Sequence, residues 1–356
     1  MNIFGGLFLF LLLFVFSLEG DYLSKEKRTP CLVLIVCLVL FMLANRDPKG
    51  WIDTVTYGKS FMNTTKTLST FSFSDRPFGY TEKGYYFLCV LAKTISNTYF
   101  FYFLFIGSIS LFFIYKSLQK YSLLPILGFF VYAGRFLLGR DFNQMRSGVA
   151  IAIIIFATYY LTKKKALVYL LFIILAFTIH TSVLVALPFY FINKYRFNKW
   201  QIVVGLVIAF LIAGIWGGTV KSIVSGSYWA QELAASYIEE GSVKAWENDL
   251  RNPMIYYQCI ILLFYSFMEN PLSKLSIHYY TFRNAYFYST LLLIVLCQYG
   301  IVAGRTSTVF ATYEMIMIPM IVVGVGRKQR FIPYILILIF GLFFFIKNWP
   351  GTNFGL

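Results

Sequence analysis

Residues 166–192 read ALVYLLFIILAFTIHTSVLVALPFYFI, and the fold turns on how often this stretch crosses a membrane. It is closed on one side by KKK (163–165) and on the other by KYRFNK (194–199), with His180 near its middle. Backbone groups in hydrocarbon must pair within their own segment, so the stretch reads as helix rather than strand. Read as one crossing, it puts its two basic flanks on opposite sides. Read as two short legs turning near His180, it keeps both on the cytoplasmic side. Each leg then has about 13 residues, roughly 20 Å of helix, so the turn sits below the outer surface.

The rest of the chain follows the same grammar. Of its 356 residues 59% are hydrophobic and only 13% charged, a balance no water-soluble domain of this size shows. Apolar runs of about 15–20 residues, the length a bilayer asks of a helix, recur from Phe4 to Ile346. The first, Phe4 to Phe16, has no basic residue before it and no small-residue cleavage pattern after it. It is expected to be retained as a span and not removed as a signal peptide. Further spans are expected near 30–44, 99–115, 122–138, 147–162, 200–216, 253–268, 285–302, 309–324 and 331–346. Basic connections at 25–28, 116–120, 163–165, 194–199, 269–284 and 326–330 should all face the cytoplasm. With 166–192 as two legs, the chain is expected to be one all-α, polytopic transmembrane domain over 1–356, with about twelve helices. Two long outer loops stand out: 45–98, with an amphipathic segment, and 217–252, with helical spacing and five of the fifteen acidic residues.

The formal charge of +16 has a simple cause in positive cytoplasmic loops, so no nucleic-acid partner is expected. The five cysteines sit mostly inside apolar runs, without metal-like spacing. A Walker A signature, a Gly-rich dinucleotide loop and a paired Cys/His motif are all absent from the sequence, so neither a cofactor nor a metal is expected.

Under this topology Arg135, Arg140, Arg146 and Arg305 fall at or near the outer boundary. Asn143 reads as an N-cap, which puts Arg146 in the first turn of its helix. A cation there opposes the helix dipole at a cost of about 0.3–1 kcal/mol. The sign reverses if an anion binds, because guanidinium and helix N-terminus then act together. Arg305 is expected in a similar place, before TSTVF and the span from Val309. The plainer reading of each arginine is snorkelling, or contact with anionic head groups. His180 is either a hydrogen-bonded structural ring at the helix break or a general base near neutral pH. Asp53, Glu82 and Asp141 are outer carboxylates, and Asp141 has Arg140 and Arg146 as candidate partners.

GWIDTVTYGKSF (50–61), EKGYYFLCVLAKTISN (82–97), the whole of 143–192 and GRTSTVFATYEMIMIP (304–319) resemble the EpsG-like branch of the Wzy-type bacterial polysaccharide polymerases in order and spacing. The resemblance extends from about residue 50 to 320. Its most specific parts are the Arg-x-x-x-Ala pattern at Arg146–Ala150, the later His180, and the arginine before a proline-ended span at Arg305–Pro319. The chain departs from the family in having Arg146-Ser147 for Arg-Gln and Glu82-Lys83-Gly84 for Glu-Pro-Gly, which leaves the roles of Ser147 and Lys83 open.

The resemblance implies a GT-C-like bundle and a metal-independent glycosyltransferase of O-antigen, capsule or exopolysaccharide biosynthesis. Its substrates would be undecaprenyl-diphosphate-linked repeat units, handled in the bacterial inner membrane with the active site facing the periplasm. A growing glycan would leave its lipid diphosphate and join the non-reducing end of the next lipid-linked unit. Membrane lipids and a Wzz-type chain-length regulator are the implied partners. His180, Arg146 and Arg305 carry the expected catalytic roles, and Arg140, Arg135, Asp53, Glu82 and Tyr57 the expected substrate contacts. Rival readings are an O-antigen ligase-type transferase, which would use the same cations, and a lipid-linked oligosaccharide flippase or transporter. The latter calls for charges deep in several spans and often repeat symmetry, neither of which the sequence shows. A membrane acyltransferase calls for a His-x-x-x-Asp-like pair, which His180 lacks.

Overall fold

The computed structural model describes residues 3–75, 77, 82–226 and 249–350, and no strand occurs among them. In chain order the helices are α1 (Ile3–Gly20), α2 (Lys25–Ala44), α3 (Ile52–Asn63), α4 (Lys83–Ile95), α5 (Tyr99–Tyr121) and α6 (Pro125–Tyr132). A π-helical stretch, Ala133–Asn143, continues α6 and leads into α7 (Met145–Thr162) and α8 (Ala166–Phe177). A 3₁₀ turn (Thr181–Val185) precedes α9 (Ala186–Ile192), α10 (Lys199–Gly226), α11 (Pro253–Phe267), α12 (Glu269–Ser273), α13 (Tyr279–Val295) and α14 (Gly300–Ala311). The chain closes with α15 (Glu314–Gly324) and α16 (Phe331–Lys347). Two compact units result: one from Met1–Val183 with Glu314–Leu356, the other from Leu184–Tyr313.

In the first unit α7 packs against α5, α8 and the π-helical stretch, α2 against α5, α1 and α15 against α6, and α16 against the π-helical stretch. Every residue from Val149 to Ile155 is buried, as befits a helix that is apolar all round. By contrast α1, α2 and α10 leave Phe8, Leu34, Phe41, Ile208 and Leu211 exposed, a surface that lipid covers and water does not. Among the described residues α1, α2, α5, α7 and the Lys199–Val220 part of α10 are long and apolar enough to cross a membrane. α14 and α15 meet the same test as a pair, on either side of a break at Thr312 and Tyr313. α8, the segment Thr181–Ile192, α11 and α16 are apolar but shorter, at 10–17 residues. This is the helical pattern of a polytopic membrane protein.

The decisive stretch is broken where the imidazole sits. α8 ends at Phe177, the backbone turns through Thr178–His180, and the 3₁₀ turn begins at Thr181. Within the loop 45–98 the amphipathic segment is α4, which turns Tyr85, Tyr86, Cys89 and Val90 inward at helical spacing. Of the loop 217–252, residues 217–226 continue α10, and 227–248 lie outside the described residues.

Two glycines permit close approaches in the first unit. A Cβ on Gly134 would stand 3.0 Å from the Cα of Gly341, so the π-helical stretch and α16 meet backbone to backbone. A Cβ on Gly84 would stand 2.2 Å from the Thr178 hydroxyl and 2.7 Å from its carbonyl oxygen. The start of α4 therefore lies on the turn that carries His180.

Two expected boundaries need correction. The span near 285–302 is α13, which begins at Tyr279 and contains Arg283, read from the sequence as part of a basic loop. Arg283 is fully buried: its Nη1 donates to Glu269 Oε2 at 2.8 Å and its Nη2 to the Phe197 carbonyl. A cation paired in this way can enter a helix interior, and charge alone misplaced the helix start. The second boundary is the start of α7, whose N-cap residue is Gln144 and not Asn143.

Candidate functional site

α7 begins at Met145, and its N-cap residue is Gln144, whose side chain makes no capping bond. Asn143 does cap a helix, but a different one. Its Oδ1 accepts the Asp53 backbone N–H at 3.0 Å, in the first turn of α3, while Thr54 Oγ1 donates to the Phe142 carbonyl at 2.6 Å. The last two residues of the π-helical stretch thus serve as the docking point for α3. A cap made by a residue far away in the chain leaves no local sequence pattern. Arg146 nonetheless lies in the first turn of α7, where the sequence put it.

Its partners come from two other segments. Arg146 Nη1 stands 2.6 Å from Glu82 Oε2, an ion pair with both side chains 10% exposed. Arg146 Nε donates to the Tyr57 hydroxyl at 3.0 Å, and the guanidinium carbon sits 4.9 Å from the Tyr57 ring centre. Tyr57 is on α3, anchored by Asn143 and Thr54; Glu82 immediately precedes α4, anchored by Gly84 on Thr178. Three of the residues singled out in the sequence therefore meet at one point in the first unit, and Asp53 holds its edge through its backbone. A carboxylate already occupies a guanidinium at a helix N-terminus, the geometry that binds oxyanions.

The Thr178 carbonyl accepts the Gly84 N–H at 2.8 Å, so Glu82 and His180 lie on two segments that are bonded together. His180 is 3% exposed. Its Nδ1 is 2.8 Å from Ser182 Oγ and accepts the Ser182 backbone N–H at 3.2 Å.

The remaining cations are placed as follows. Arg135 forms an ion pair with Glu314 of α15 at 3.6 Å and lies 4.5 Å from the Phe344 ring centre. Arg140 is buried, its guanidinium 4.3 Å from the Phe136 ring centre. Both sit on the π-helical stretch, a conformation that recurs at functional positions. Asp141 accepts a 2.5 Å hydrogen bond from the Tyr132 hydroxyl; the carboxylate on Arg146 belongs to Glu82. Arg305 is in the second unit, half-buried in the middle of α14 and not ahead of a helix. The helix starts at Gly300, nine residues before the Val309 start expected for the span.

Sequence reading passed over Arg46. Just after α2, this arginine is 5% exposed, donates to the Asp141 carbonyl at 3.0 Å and lies 3.9 Å over the Phe103 ring. Its Nη2 also contacts Met145 Sδ at 2.7 Å, directly before Arg146. Burial pushes the Arg46 guanidinium down to about 9, so it still carries its charge at neutral pH. Its one sequence signal was position: a cation at the mouth of an apolar run. Among the described residues no group of three or more His, Cys, Asp or Glu side chains stands together as a metal site would require.

The geometry suits an oxyanion: a buried guanidinium in a first helical turn, held by a tyrosine hydroxyl and a carboxylate, with a second buried arginine on the preceding Met145 and a buried imidazole on the turn to which Gly84 is bonded. No curated protein and no solved structure matches the chain. A model of the EpsG family matches residues 30–355, nearly its whole length. The chain therefore belongs to the EpsG family, a Wzy-like family of polysaccharide polymerases.

Proposed function

We propose that this chain is a glycosyltransferase that polymerises lipid-linked repeat units at the outer face of a bacterial inner membrane. The observation that carries the reading is Arg146, held in the first turn of α7 against Glu82 and Tyr57. In the reaction, the bond between the anomeric carbon of the growing glycan and its undecaprenyl diphosphate breaks, and its electron pair leaves with the diphosphate. A new bond forms from that carbon to a hydroxyl at the non-reducing end of the next lipid-linked unit. The lipid diphosphate itself supplies the driving force. Arg146 meets the developing negative charge, where a preorganised donor in a water-poor site is worth far more than in water.

The architecture accompanying this reading is a GT-C-like bundle of about twelve crossings, in which the shorter apolar helices supply the crossings beyond the long ones. Arg140 and Arg135 are secondary anion contacts, and Asp53 and Tyr57 hold the neighbouring backbone and guanidinium. Arg305 is a separate cation whose role stands or falls on its own substitution. A Wzz-type regulator is the partner that would set chain length.

The test is Arg146→Lys and Arg305→Lys, each matched for membrane abundance and assayed with purified lipid-linked repeat units. A lysine keeps the charge and loses the planar fork. Loss of about 10²–10³ in rate is expected for Arg146→Lys. A wild-type rate in that variant would leave Arg146 a snorkelling residue and remove the basis of the proposal.

A further inference from the structure

His180 brings one chemical question with it: which ring nitrogen carries the proton. A backbone N–H can only donate, so the nitrogen it reaches must offer a lone pair. The Ser182 N–H points at His180 Nδ1 at 3.2 Å, and Ser182 Oγ lies 2.8 Å from the same nitrogen. With Nδ1 as the acceptor, the hydroxyl also donates to it. A neutral imidazole has one N–H, and here it falls on Nε2. Both His180 and Ser182 are buried, at 3% and 0% exposure, so water does not compete for these bonds.

From this geometry we infer that Ser182 locks His180 as the neutral Nε2–H tautomer, and that His180 serves the site as a hydrogen-bond donor and not as a general base. The role rests on the polymerase reading; the tautomer does not. A general base needs a free lone pair facing the hydroxyl it deprotonates. The lone pair of His180 instead faces its own turn, and the proton sits on Nε2. A donor assists where negative charge grows, which in this reaction is an oxygen of the departing diphosphate. His180 then belongs with the cations. The acceptor hydroxyl's proton passes to the released diphosphate, since a phosphate ester with a second pKa of about 6 is a competent base at neutral pH. Ser182 is a positioning residue: it touches no substrate and fixes the face that His180 presents.

The experiment has two arms. First, the purified protein with ¹⁵N-labelled imidazoles, in detergent at about pH 8 where an ordinary imidazole of pKa about 6.5 is neutral, is examined by nitrogen NMR. The signal missing from H180Q belongs to His180. A lone-pair-type Nδ1 and a protonated Nε2 are expected; the reverse assignment overturns the inference. Second, H180Q and H180N are compared. Glutamine places an N–H donor near the position of Nε2, whereas asparagine restores only an acceptor near the position of Nδ1. H180Q should polymerise within about tenfold of wild type and H180N fall by about 10²–10³, the usual loss of one oxyanion donor. Full activity in H180N would reduce His180 to a turn-former, and equal collapse of both variants would restore the general base. A wild-type protein that does not polymerise at all would sink the polymerase reading, while the NMR arm still decides the tautomer.

Discussion

Glu82→Gln keeps the shape of the side chain facing Arg146 and deletes its charge. The contact it weakens is 2.6 Å long with both partners 10% exposed, well inside the regime where solvent screens poorly. Removing one partner of a buried pair costs about 3–5 kcal/mol, because the other charge is left uncompensated. The glutamine carbonyl can still accept from Nη1, and Tyr57 still accepts from Nε. A neutral acceptor recovers about 1 kcal/mol of such a loss, which leaves a destabilisation of about 2–4 kcal/mol. The vacancy is one of charge, so an added oxyanion should fill it. The assay is thermal unfolding in detergent of wild type and Glu82→Gln, each with and without inorganic pyrophosphate. The variant should unfold earlier, and pyrophosphate should raise its midpoint by more than it raises the wild type's. Equal stability of the two proteins, or an equal pyrophosphate shift in both, would refute Arg146 as an anion site that Glu82 occupies at rest.

Gly84→Ala should destabilise by about 1–3 kcal/mol, the usual cost of overpacking, because the Thr178 carbonyl at 2.7 Å cannot rotate away as its hydroxyl can; unchanged unfolding would mean α4 does not rest on that turn. Asp21 accepts the backbone N–H groups of Ile126 and Leu127 at the start of α6, and burial pushes its carboxyl up from 3.8 to about 6. Its protonated form is thus favoured by folding: the contribution is complete below 3.8, is lost as pH rises through about 6, and amounts to on the order of 3 kcal/mol. Wild type should therefore lose stability as pH rises from 3.8 to about 6 by a component that Asp21→Asn lacks; parallel pH profiles would exclude Asp21 as its source. Single cysteines at Thr181 and Lys164, in a cysteine-free background, should label from outside at 181 and be protected at 164. The opposite pattern would rule out the two-leg crossing of 166–192.

Hydropathy made α1, α2, α5, α7 and α10 legible, because a run such as Val149–Ile155 has no other home than an apolar interior. The break at His180 was legible for a related reason, since basic flanks on both sides demand a turn between them. The π-helical stretch was not. Arg135, Arg140 and Asp141 read as polar residues at a boundary, and nothing local distinguishes a wider helical turn from the end of a helix. α13 was started late because Arg283 and Asn284 look like loop residues until their N–H groups are seen to donate to Glu269 and to the carbonyls of Phe197 and Tyr195. Arg146 was found from its helical position, but its partner was not: Glu82 is 64 residues away in the chain, and such a pairing has no local period. Arg46 was missed on the same ground, its acceptor being the carbonyl of Asp141, 95 residues distant.

The central claim is that this chain lengthens glycans on lipid diphosphate carriers. Its most direct test gives the purified protein undecaprenyl-diphosphate-linked repeat units as the only substrate and follows the products. A ladder of glycans still attached to lipid is expected, each step matched by one released undecaprenyl diphosphate. Unaltered single repeats, together with transfer of preformed polymer to a different acceptor once one is supplied, would make the chain a ligase and contradict the account.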